Sequence, residues 1–389
     1  ARRERTATPL QALVLLNDTT YYFGVRAKNG AGMFSPAAYS DGIIVQVSAG
    51  PTNVSGTISA NTTWSPSGSP YQLTGNVTVA AGVTLTIQAG TVVEAMGNFS
   101  LTVQGTLLAN GTSSAPVQFL SGKATPAPGN WTGLTFSGSG GGTLTQAVIQ
   151  HATNGLELQG TGTVSLTSST VELVSSIGVS VANGTLTLNN STLRANAPSG
   201  TTYALYVSSG ADGLTVSGSQ LQATGNHYVV YLNPSVNPAV LSVTNSQLLA
   251  ANLTQHTVYA YPSGSYGGQP ATFTNNWWGT TDPVAISTQI YDYADGATSA
   301  PLIDFTPFLD GPNGSPVPGN FVWGPITTDT TWTVANSPYL MVEDVRVQPG
   351  VTLALEAGVR VEVKGSYTLE TQGTLLANGT SSAPVQFLS

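Results

Sequence analysis

Leu186-Thr187-Leu188-Asn189-Asn190-Ser191-Thr192-Leu193 holds a two-residue apolar alternation, a short polar corner and a further apolar residue. The same pattern stands at Val164-Ser165-Leu166-Thr167-Ser168-Ser169-Thr170-Val171 and at Leu214-Thr215-Val216-Ser217-Gly218-Ser219-Gln220-Leu221. It returns at Leu241-Ser242-Val243-Thr244-Asn245-Ser246-Gln247-Leu248 and at Ala271-Thr272-Phe273-Thr274-Asn275-Asn276-Trp277-Trp278. The starts at 164, 186, 214, 241 and 271 are 22, 28, 27 and 30 residues apart. Alternation of period two marks a strand, and a recurrence of this length is one coil of a solenoid, with three short strands and three corners. A second strand falls between successive rungs, at residues 155–158, 178–181, 204–207, 229–232 and 258–261. Stacking the rungs puts Leu166, Leu188, Val216, Val243 and Phe273 in one interior column. Asn190, Asn245 and Asn275 fall at a corner, where amides bond along the axis and tolerate a left-handed backbone. The fold class read from this pattern is all-β, a parallel β-helix.

Upstream, residues 77–79, 83–87, 101–103 and 117–119 are short alternating strands separated by turns such as Ala81-Gly82, Ala89-Gly90 and Asn110-Gly111. Residues 62–121 recur without a gap as residues 330–389, at a constant offset of 268. The first 42 aligned positions match at 18, and the last 18 match throughout. Uniform drift does not make such a step; gene conversion, or a sequence joined across two copies, does. The chain is therefore read as part of a longer multidomain protein, holding one complete module and the opening of a second.

Only 7% of the residues are charged, against roughly 25% in an ordinary soluble domain. Hydroxyls and amides supply the polarity instead. No apolar run approaches the ~20 residues of a membrane-spanning helix. The net charge of −8 disfavours nucleic acid and anionic membranes as partners. The chain has no cysteine, which excludes a disulfide-stapled scaffold without excluding export, since a long stacked core needs no bridges.

Residues 77–93, Gly105-Thr106-Leu107-Leu108-Ala109 and Trp131-Thr132-Gly133-Leu134 resemble the opening coils of the bacterial right-handed parallel β-helix repeat family of pectin-lyase-like secreted proteins. Asn275-Asn276-Trp277-Trp278-Gly279, Ile290-Tyr291-Asp292 and residues 305–309 resemble its closing segment. The resemblance implies a right-handed solenoid over residues 55–310, an extracellular or cell-surface location in a bacterium, and polysaccharide or cell-surface glycan as the partner class. A solenoid end exposes apolar interior and unpaired backbone, so Trp277 and Trp278 are the expected structural cap. Residues 311–319 read as a linker and residues 320–389 as a truncated second module. At the other end, Thr20-Tyr21-Tyr22-Phe23-Gly24-Val25-Arg26-Ala27-Lys28-Asn29 with Gly30-Ala31-Gly32 makes residues 19–48 resemble the last strands of a fibronectin type III domain, with Tyr21 as the corner tyrosine and 42–47 as the final strand. Residues 49–54 read as a linker. Residues 5–18 resemble a helical motif of a planctomycete cytochrome-associated family, which implies a helical segment over residues 1–18 and either a planctomycete-like source or a foreign junction.

Chemistry is sparser. Lyase chemistry wants a basic residue beside carboxylates, yet Lys123 and Arg194 are the only lysine or arginine residues between 55 and 310. Hydrolysis needs two carboxylates roughly 5–10 Å apart; Glu157 and Glu172 are the candidates, outward and about one coil apart. Asp282, Asp292 and Asp295 form the densest acidic group and read as cap and turn residues before a calcium site. His151, His227 and His256 lack metal-ligand spacing. No catalytic residue, metal or cofactor is assigned. Thr84/Thr86 and Thr185/Thr187 read as ordinary exposed strand threonines. Tyr203, Tyr206, Tyr228, Tyr231, Tyr259 and Tyr261 come close in successive coils, half of them expected in the core; Tyr206, Tyr231 and Tyr259 are the candidate ligand contacts, gripping a sugar by ring stacking. The function read from the sequence is a non-catalytic surface or adhesion scaffold that binds glycan. The alternative is a carbohydrate-active lyase or hydrolase of the β-helix type, and a third reading is a pure spacer.

Overall fold

A computed structural model describes residues 19–22, 24–45, 50–195, 202–223, 228–233, 235–250, 256–262, 267–297 and 299–389, with the backbone alone at 19 and 43–45. Residues 1–18 and His227 lie outside it. From Thr52 to Asp304 the strands form one hydrogen-bonded array of 25, paired in parallel throughout. The chain is all-β, a parallel β-solenoid as the rung pattern requires. Each coil contributes a strand to each of three faces. The first face runs through Ser100–Val103, Gly133–Phe136, Asn154–Leu158, Tyr228–Leu232 and Val258–Ala260. The second runs through Thr84–Gln88, Thr106–Asn110, Thr163–Thr167 and Leu241–Thr244. Val92–Ala95, Val117–Ser121, Thr170–Val174, Thr192–Ala195 and Gln220–Ala223 belong to the third.

Register confirms the interior column. Leu166 pairs with Leu188, Leu188 with Val216, and Val216 with Val243. These four and Phe273 are fully buried. Burying each such side chain contributes on the order of 1.5–3 kcal/mol. This core is continuous from Trp64 through Phe308. The solenoid starts at Thr52, inside the stretch read as linker, because residues 52–54 already pair with Tyr71, Gln72 and Leu73.

The corner between the second and third faces differs from the expected amide stack. Asn190, Asn245 and Asn275 do adopt left-handed backbone, with φ of 48°, 51° and 56°. Gly218 takes the same left-handed corner, with φ of 59°, between Asn190 and Asn245, so the asparagine column is interrupted there. The axial hydrogen bonds run one residue further on. The Ser169, Ser191 and Ser219 N–H groups donate to Oγ of Ser191, Ser219 and Ser246 at 3.0, 3.1 and 3.1 Å, and the Ser246 N–H donates to Asn276 Oδ1 at 2.9 Å. Each serine hydroxyl donates in turn to the carbonyl two residues back, as Ser219 does to Ser217 at 2.9 Å. All five side chains are buried, so the ladder satisfies corner donors that water does not reach.

Trp278 is buried at the end of the core, while Trp277 is half-buried on the third face and bridges Gln247. Asp282 caps the short helix Pro283–Ser287 by accepting the Val284 N–H at 3.0 Å. The second copy forms its own parallel strands, Asn320–Ile326, Thr330–Trp332, Tyr339–Val347 and those that follow, around Trp332, Tyr339 and Leu353. Both copies stack the same pair, Trp64 on Tyr71 and Trp332 on Tyr339, at 4.7 Å and 13°. Ahead of the solenoid, Thr19–Tyr21 pairs antiparallel with Ile43–Val45, and Gly24–Val25 with Ala38–Tyr39. Val25, Phe34 and Tyr39 there are exposed.

Candidate functional site

The first face changes character along the solenoid. One outward column reads Thr78, Thr102, Thr135, Glu157, Ser180, Tyr206, Tyr231, Tyr259 and Tyr291, each paired in register with the next. Three residues earlier in the strand, Tyr203 pairs with Tyr228. The alternating residues Leu205, Val207, Val230, Leu232, Val258 and Ala260 point into the core. No described tyrosine of this patch lies inside. The expectation that half would do so fails because the phase breaks between the two tyrosines of each strand, where the consecutive pairs Ala204-Leu205 and Val229-Val230 both take the interior.

The rings stack on one another. Tyr206 lies on Tyr231 at 5.4 Å and 4°, Tyr231 on Tyr259 at 5.5 Å and 13°, and Tyr259 on Tyr291 at 4.8 Å and 11°. Tyr203 on Tyr228 repeats the arrangement at 5.9 Å and 9°, and the two columns meet edge to face, as Tyr203 and Tyr231 do at 4.9 Å. Coil spacing sets this geometry, since parallel strands about 4.8 Å apart hold flat rings near stacking distance. Ring faces inside a column are thus covered by other rings, and the edges and hydroxyls are what the patch presents. Tyr261 extends it and is 42% exposed. The Tyr231 phenol is pushed up to about 12, chiefly by burial and then by the neighbouring phenols of Tyr203, Tyr206, Tyr259 and Tyr261. Burial likewise raises Tyr203, Tyr206 and Tyr259. The patch is therefore a set of neutral hydroxyl donors and acceptors at neutral pH.

His256 borders the patch, 5.9 Å from Tyr259 and 5.4 Å from Tyr291 between ring centres. Burial lowers its pKa against the opposing pull of Asp295. Asp292 is buried, accepts the Ile303 and Ala294 N–H groups, and is pushed up to about 7 by that burial. Asp295 accepts the Asp292 N–H at 3.0 Å. These carboxylates are turn-forming acceptors, and no group of three metal-ligating side chains occurs among the described residues.

Glu157 and Glu172 are not a pair. Glu157 stands on the first face, two coils before Tyr206, and accepts from Asn154 and from Gln159 at 2.9 Å. Glu172 stands on the third face, where it meets Arg194 at 3.0 Å and Gln150 at 2.8 Å. Burial lowers the pKa of His151, which lies within the field of Glu172. Sequence reading missed Tyr291 and His256 as members of the patch. The signal for Tyr291 was present in Ile290-Tyr291, which repeats the phase of Val258-Tyr259.

These features define a parallel β-solenoid with an aromatic outer face on its later coils. Residues 56–152 match the family described as the pectate-lyase like beta helix domain. The Drosophila melanogaster protein bark beetle is 31% identical over 124 residues, spanning 28% of this chain and 4% of that protein. An alginate lyase from Paenibacillus, known from its crystal structure, overlays 80% of this chain and 92% of its own at 13% identity with a TM-score of 0.25, too loose an overlay to carry any residue across. No helix among the described residues is long and apolar enough to cross a membrane.

Proposed function

We propose that the chain is an extracellular, non-catalytic surface or adhesion scaffold that holds polysaccharide against the tyrosine face. The observation that carries this reading is the contiguous column Tyr206, Tyr231, Tyr259 and Tyr291, half-buried and outward, with Tyr291 at its end also packing against the core. Its stacked geometry favours hydroxyl and ring-edge contacts along the column, with Tyr261 the most open ring, over the face-on stacking expected from sequence. The pectate-lyase like match at residues 56–152 favours polysaccharide as the ligand class, although it covers earlier coils than the tyrosines. The test is affinity electrophoresis of the full chain through pectic, alginate, chitin and sulfated gels. Retardation by one of them, lost on Tyr231→Ala, supports the reading; equal migration of both proteins in every gel defeats it.

A carbohydrate-active enzyme is the second reading, favoured by the position of Glu157 on the tyrosine face itself. Two strand steps put it roughly 10 Å from the nearest tyrosine position. New reducing or unsaturated ends from any of these substrates, abolished by Glu157→Gln, would establish it.

A further inference from the structure

The two copies share a backbone and differ in side chains, and the differences have a location. Gly56 and Gly324 both take positive φ, 78° and 70°, as do Gly82 and Gly350, at 77° and 80°. Core positions are kept in kind: Trp64 and Trp332, Tyr71 and Tyr339, Val77 and Val345, Leu85 and Leu353 are buried in both. Other positions reverse their chemistry at the offset of 268. Asn53, Ser55 and Thr74 of the first copy are exposed polar residues, and their counterparts are Phe321, Trp323 and Val342.

Those three meet the closing segment of the first copy. Phe321 packs on Phe308 at 5.2 Å and Trp323 on Phe305 at 4.7 Å between ring centres. Val342 is fully buried and belongs to the core of the first copy rather than to that of its own. Gly324 fits closely beside them, since a Cβ there would fall 2.9 Å from Leu302. The Gln348 amide reaches the Tyr293 hydroxyl at 3.4 Å, where the first copy has Ala80.

We infer that the opening coil of the second copy is a dedicated docking face for the closing segment of the first, so that the order of the copies is written in the positions where they differ. A coil bearing Asn53, Ser55 and Thr74 folds on the same backbone and offers polar side chains at the three positions that would meet such an end. The partner that fits Phe321, Trp323 and Val342 is an aromatic solenoid cap of the Phe305 and Phe308 type.

The test uses the full chain carrying Phe321→Asn, Trp323→Ser and Val342→Thr, each the residue that the first copy already accommodates. Amide exchange is followed at Pro283–Ser287, Leu302–Asp304 and Asn320–Ile326, and separately at Thr352–Leu355 in the interior of the second copy. Docking predicts at least about a tenfold acceleration at the first three, from the loss of this apolar burial, with Thr352–Leu355 unchanged. Unchanged exchange at the junction overturns the inference. So does equal loss at Thr352–Leu355, which would make these side chains part of the second copy's own core. Val342→Thr alone, read the same way, gives the same pattern with smaller amplitude and repeats the test with minimal disturbance to folding.

Discussion

Replacing Ser219 with alanine removes one oxygen and tests why the corners hold. Ser219 Oγ accepts the Ser191 N–H at 3.1 Å and donates to the Ser217 carbonyl at 2.9 Å. The Ser217 carbonyl keeps another donor, the Asn190 N–H at 3.0 Å, so its loss is small. The Ser191 N–H has no such reserve at a buried corner, and an orphaned buried donor costs about 1–3 kcal/mol. That corresponds to roughly 5- to 150-fold faster amide exchange around Ser191 and in the adjoining coils, at about 1.4 kcal/mol per tenfold. Exchange is the right assay because a stacked array opens locally and one global midpoint would average the effect. Thr215→Ala, an exposed position on the strand that leads into this corner, serves as the control and stays within about 0.5 kcal/mol. If Ser219→Ala exchanges like the control, water or a relaxed backbone serves the Ser191 N–H and the ladder is not what holds the corner.

Three further outcomes follow from the same structure. Leu188→Ala in the interior column costs about 2–5 kcal/mol, measured as a lower urea midpoint with the loss centred on the coils of Leu166 and Val216. Glu343 sits at the junction with its carboxyl pushed up to about 8, first by burial and then by Asp292, with the Ser287 hydroxyl opposing and Asp295 and Asp344 adding to the rise. The folded state thus holds a proton that the unfolded carboxylate releases, so this contribution is full below the free glutamate pKa of about 4.3, declines as pH rises, and is lost by about pH 8; Glu343→Gln should flatten the pH 5–8 dependence of junction exchange, and an unchanged slope would assign it to other groups. Tyr231→Phe removes the phenol raised to about 12, so ultraviolet titration should lose its highest-pH step while the stacked rings keep their near-ultraviolet dichroism; persistence of that step would place it on another tyrosine.

Much of the fold was legible because a solenoid repeats its instructions. Leu166, Leu188, Val216 and Val243 could be stacked from spacing alone, since each occupies the same phase of an alternating strand. The serine ladder was equally present, with Ser169, Ser191, Ser219 and Ser246 at one corner position, but the asparagines beside them carry the stronger turn preference and drew the reading. Tyrosine outwardness was underestimated because phenol rings suit core and surface alike, and only register against Leu205 and Val230 decides between them. Ring stacking was illegible in one dimension, because it depends on the distance between coils. Glu157 and Glu172 lie close in sequence and on different faces, and only the coil path tells them apart.

The central claim, that the tyrosine face is the binding surface, is tested most directly by a protection footprint. Amide exchange of the full chain would be compared with and without the polysaccharide that retards it. The account predicts protection concentrated in Tyr203–Ser217, Tyr228–Leu232 and Val258–Ala260, with no new chain ends released. Protection centred on another face, or none in these strands while the protein stays bound, would contradict it.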